Sequence, residues 1–193
     1  MRAQRILVLL LCGSTLALAA SGCGGGGDGT SYPGTKPEAW AETICGALSD
    51  WALGLKADSQ RLSADLSSAT AIKTVKAKFV TFLQNAERST GRMLTTIKGA
   101  GPPAVKDGAA IQQTLVSGLE RGRASFERAV ARAKKLSTVD RLAFSSGVGA
   151  LAQDVQKELT ATGEEFNDLG ERYDDKTLNQ ATSNESSCSN IGG

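Results

Sequence analysis

Cysteine and histidine set the chemistry open to this chain: it has four of the first and none of the second. A thiol can act as a nucleophile, a metal ligand or half of a disulfide. Without histidine the commonest general base is missing, and with it the usual Ser–His and Cys–His activation and the commonest transition-metal ligand. Cys45 and Cys188 lie far apart and in no C-x-x-C spacing, so neither a redox pair nor a metal site is expected of them. The residues therefore predict no catalytic group, no metal and no cofactor. Catalysis by carboxylates alone stays open, as an exported enzyme using buried Asp or Glu, although no local motif recommends it.

Cys23 asks a different question, because an apolar run ends on it and Gly24–Gly27 follow. Arg2 and Arg5 precede the stretch from Ile6 to Ala20, which falls short of the roughly 20 residues needed to span a bilayer. A positive start, a short apolar middle and small residues before a cut site describe a secretory signal. Two cut sites compete. Ala17 and Ala19 form an A-x-A site, whereas Ala20-Ser21-Gly22-Cys23 resembles the lipobox of bacterial lipoproteins, with Ala20 where that pattern usually has Leu. The resemblance implies that the Cys23 thiol takes a diacylglyceryl group and becomes the mature N-terminus. Cysteine arithmetic favours it: cutting after Ala19 leaves Cys23, Cys45 and Cys188, an odd number in an exported protein, whereas acylating Cys23 leaves an even pair.

The chain thus divides into a signal peptide over 1–22, a flexible Gly-rich tether over 23–36 and one domain over 37–193. Removing residues 1–22 takes away Arg2 and Arg5 and no acid, so the 22 basic side chains fall to 20, equal to the 20 acidic ones. A nucleic-acid partner would call for a basic excess, and none is expected.

Within the domain the apolar spacing is helical. Pro37 suits a first turn, and Trp40, Ile44, Leu48, Trp51, Leu55, Leu62 and Leu66 share one face of a helix over about 37–67. Ser67, Ser68 and Thr70 interrupt the pattern, and Ile72, Val75, Phe79, Phe82, Ala86, Met93 and Ile97 resume it. "GAGPP", Gly99–Pro103, ends that second helix. Ile111, Leu115, Leu119, Gly122, Phe126, Val130 and Ala133 define a third. Ser137 followed by Asp140 resembles a capping box, and Phe144, Val148, Leu151, Val155, Leu159, Thr162, Phe166, Leu169 and Tyr173 define a fourth. A short helical piece near Thr177–Ala181 and a polar tail follow. Short connections predict an all-α, up-down-up-down antiparallel four-helix bundle. That topology returns the end of the fourth helix beside the start of the first and predicts a Cys45–Cys188 disulfide, which an exported compartment permits.

Three further features each admit a functional and a purely structural reading. "GVGALA", Gly147–Ala152, matches a dinucleotide fingerprint but lies inside an amphipathic helix with no strand before it. Trp40 and Trp51, at helical spacing, read as core rather than as a ligand slot. Lys73, Lys76, Arg128, Arg132, Lys134 and Lys135 gather at the bundle end away from Cys23, where they could contact an anionic cell-wall polymer, while Glu164, Glu165, Asp168 and Glu171 mark the other end.

The cysteine of the lipobox, "WAETICGALSDW", "FVTFLQNAERSTGRML", "GAGPP" and "SSCSNI" together resemble small actinobacterial lipoproteins and secreted helical proteins of unknown function. The resemblance implies a helical envelope protein and transfers no catalytic residue. The expected protein is lipid-anchored on the extracytoplasmic face of the cell membrane, a non-catalytic binding or scaffolding module. Its expected partners are the membrane, through the N-terminal lipid, and an anionic cell-wall polymer or an envelope protein.

Overall fold

A computed structural model describes residues 31–69 and 71–189. The signal peptide, Cys23 and the first part of the tether lie outside the described residues, as does the side chain of Leu169. Four long helices pack as an antiparallel bundle: α1 (Pro37–Ser68), α2 (Ile72–Ala100), α3 (Gly108–Lys135) and α4 (Arg141–Arg172). Two short ones follow, α5 (Lys176–Asn184) and α6 (Ser186–Ser189). No strand occurs among the described residues. A single bridge joins Thr35 to Pro103.

The breaks fall where the backbone chemistry requires them. Pro37 opens α1 at a position whose N–H would have no helical partner. Gly101 closes α2 with φ 66°, a left-handed conformation that an L side chain resists. Pro102 and Pro103 then prevent helical continuation. At α4 the structure corrects the expected cap. Asp140, rather than Ser137, holds the helix start, its Oδ1 accepting the Ala143 N–H at 3.0 Å. Ser137 Oγ instead accepts the Val139 N–H at 3.3 Å, inside the turn.

The interior forms two clusters. Nearer the chain start, Trp40 and Ile44 of α1 meet Met93, Leu94 and Ile97 of α2, Ile111, Leu115 and Leu119 of α3, and Leu178 of α5. Farther along, Phe79 and Leu83 of α2, Phe126 and Ala129 of α3, and Leu151 of α4 are buried together. Leu55 and Leu62 of α1 pack against that second cluster only half-buried. Close backbone approach runs α1 to α2, α2 to α3 and α3 to α4, whereas α1 and α4 share no comparable seam. Instead α5 and α6 lie against α1. The expected short helix near Thr177–Ala181 is α5: Asp175 Oδ1 caps it by accepting the Thr177 and Leu178 N–H groups, and Leu178 and Ala181 are buried, while the expected polar tail adds α6. The unit that begins at Ser31 contains both clusters and is compact by itself.

Candidate functional site

Four places could hold function: the disulfide, the two tryptophans, the grooves between helices and the basic end. Cys45 lies buried in the third turn of α1, and Cys188 sits in α6. The two are bonded, with Cα atoms 4.8 Å apart and a sequence separation of 143. Glu185 precedes α6 and accepts hydrogen bonds from the Ser187 hydroxyl and backbone N–H, which hold its carboxyl below its ordinary pKa. The bonded pair is thus a staple between the first helix and the last.

Trp40 is 5 % exposed, and its indole N–H is shared between Gly101 O and Gln112 Oε1, each at 3.1 Å. Gln112 Nε2 in turn donates to Ile97 O at 2.7 Å. The Thr35 N–H donates to Pro102 O at 2.8 Å, and Thr35 O accepts the Ala104 N–H at 2.7 Å. Gly34 makes this approach possible, since a Cβ there would collide with Pro102 O. The "GAGPP" turn is therefore clamped by the residues just before α1 and by Trp40 within it. Sequence pattern does not reveal this clamp, because its partners are some sixty residues apart and all but Trp40 lie off the helical stripes. Trp51, half-buried, donates to Thr90 Oγ1 at 3.0 Å. Trp40 fills the interior, and Trp51 packs at its edge.

Between α1 and α2 runs a groove of about 390 Å³, lined by Trp51, Asp58, Arg61, Arg92 and Met93 among others. Arg61 is paired with Asp58 there at 3.3 Å. The buried polar side chains among the described residues are Ser49, Thr90, Gln112, Ser125 and Thr162, all neutral. Every buried side-chain nitrogen or oxygen among the described residues has a hydrogen-bond partner. No three Cys, Asp or Glu side chains converge there as metal ligands would. Gly147–Ala152 lies within α4.

The basic end divides into two groups. Arg132 pairs with Asp154, Arg128 with Glu158 at 4.0 Å, and Arg121 with Glu165. In each pair the residue numbers add to the same total, as the constant register of two antiparallel helices requires. These arginines form a ladder binding α4 to α3. Lys76 Nζ donates to Leu136 O at 2.6 Å and so places a cation at the carboxyl end of α3, where the helix dipole favours it. Lys73, Lys134 and Lys135 are exposed and make no ion pair or side-chain hydrogen bond. Of the six basic residues expected to meet an anionic polymer, three thus have intramolecular partners and three point to solvent unpaired.

Exposed pairs contribute about 0.2–1 kcal/mol each. The double change Arg128→Glu with Arg132→Glu is accordingly expected to lower the thermal midpoint by only a few degrees, and by less in high salt. Adding Asp154→Arg should recover part of the loss. Melting curves at two ionic strengths check this, and a salt-independent loss would contradict the ladder.

No family model matches the chain, and neither curated proteins nor solved structures yield a match.

Proposed function

We propose that this protein is a lipid-anchored module of the cell envelope that binds or scaffolds rather than catalyses, held by an acylated Cys23 on the outer face of the cytoplasmic membrane. The observation that carries the reading is the order of features along the chain. A short apolar run ends on Ala20-Ser21-Gly22-Cys23, a Gly-rich spacer follows, and Thr35 is bonded to the turn after α2. Fully extended, the spacer from Gly24 to Gly34 could reach roughly 35 Å.

Two structural features support it. The Cys45–Cys188 bond suits a compartment outside the reducing cytosol. The alternative, an enzyme using buried carboxylates, needs an acid inside the bundle, and every described Asp and Glu is at least partly exposed. No described helix is long and apolar enough to cross a membrane, so attachment in this reading falls to Cys23.

Detergent phase partitioning tests the anchor. The parent protein should enter the detergent phase, and Cys23→Ser should move nearly all of it to the aqueous phase. Equal partitioning of the two would refute the reading.

A further inference from the structure

The turn between α3 and α4 and the first turn of α4 each carry one large aliphatic side chain that the fold does not use. Val139 is 93 % exposed and Leu142 is 80 % exposed. Val139 immediately precedes the cap residue Asp140, a position whose side chain commonly folds onto the fourth helical residue as a hydrophobic staple. That residue, Phe144, is buried to 6 % exposure while Val139 remains in solvent. Folding therefore gains almost nothing from either aliphatic group.

Their surroundings are cationic. Lys134 and Lys135 end α3 just before this turn. The bond from Lys76 Nζ to Leu136 O brings the first turn of α2 against the end of α3, so exposed Lys73, one turn before Lys76, belongs to the same tip. The nearby acids are engaged: Asp140 caps α4, and Asp65 pairs with Lys78 at 2.9 Å. Two solvent-facing aliphatics beside three uncommitted ammonium groups suit a surface that is anionic outside and apolar beneath.

We propose that this tip is a second lipid contact, in which Val139 and Leu142 enter the headgroup boundary of an anionic bilayer and Lys73, Lys134 and Lys135 meet its headgroups. A hydrophilic anionic polymer would engage the lysines and leave both aliphatics in water. A bilayer engages both kinds of group at once. The proposal rests on the envelope reading for its setting. There the tip contact would fix how the tethered bundle lies, since α1 alone is about 48 Å long at 1.5 Å per residue.

The test uses the unacylated chain from Ser31 onward, the compact unit. It is sedimented with phosphatidylglycerol vesicles and with phosphatidylcholine vesicles. The parent should bind the anionic vesicles and bind the zwitterionic ones far more weakly. Val139→Ser with Leu142→Ser should weaken anionic-vesicle binding roughly tenfold, as expected for withdrawing two aliphatic groups from an apolar phase. Lys73→Gln, Lys134→Gln and Lys135→Gln together should weaken it and flatten its salt dependence. All these positions are exposed, and melting curves confirm that the variants fold. Three results would overturn the proposal: unchanged binding by the aliphatic variant, binding to purified anionic wall polymer without binding to vesicles, or self-association that the aliphatic variant abolishes. Because the tested chain has no anchor, failure here leaves the Cys23 reading intact. Failure of acylation, conversely, leaves the vesicle result unaffected.

Discussion

Replacing Cys45 and Cys188 together with alanine is expected to cost about 4–5 kcal/mol in the chain-entropy account of a long closed loop. At this chain size that lowers the thermal midpoint by roughly 10 °C or more. The bond closes a loop of 143 residues, nearly the whole bundle, so reduction enlarges the unfolded ensemble greatly. It also acts locally. α5 has 9 residues and α6 has 4, too few to be helical in isolation. α5 buries Leu178 and Ala181, and α6 buries no residue. Without the staple, hydrogen exchange should quicken first over α5 and α6, and the start of α1 around Trp40 should lose protection with them. A double alanine variant with the parent's midpoint and unchanged exchange in α5 would show that the bond is incidental.

The second large effect is expected at Trp40. Trp40→Ala removes a buried indole from the cluster of Ile44, Met93, Leu94, Ile97 and Ile111, at a cost of about 3–5 kcal/mol. Trp40→Phe separates packing from hydrogen bonding. It keeps most of the ring but leaves Gln112 Oε1 and Gly101 O without the indole N–H, and it is expected to cost about 1–3 kcal/mol. Urea melts with unchanged slope measure both. Equal losses in the two variants would mean that packing of the ring contributes nothing beyond its polar bonds, and no loss in either would contradict the burial itself.

Much of this architecture can be read from local residues because the reasons for it are local. Pro37, the serines near 67 and "GAGPP" act within a few residues, and the four helices begin and end beside them. The Cys45–Cys188 pairing follows from helix count and direction alone, which is why it survives even though α5 and α6, rather than the end of α4, deliver Cys188 to α1.

What pattern misses depends on register. Arg128 and Arg132 share a helical face with other cations, and on that face alone they look available. Their partners Glu158 and Asp154 become visible only once α4 is set against α3. The Thr35 and Trp40 contacts to the turn after α2 are hidden for the same reason. Ser137 and Asp140 are both plausible caps by type, and the choice turns on where the chain leaves α3. Val139 and Leu142 did carry a signal: both stand off the stripe of Phe144, Val148 and Leu151, the first in the turn before α4 and the second in that helix's first turn.

The proposed acylation of Cys23, which makes it the first residue of the mature protein, is tested most directly by the intact mass of protein isolated from the envelope. The predicted mass is that of the chain from Cys23 to Gly193, less two hydrogens for the Cys45–Cys188 bond, plus a diacylglyceryl group. A chain that begins at Ala20 and carries an unmodified Cys23 would contradict it.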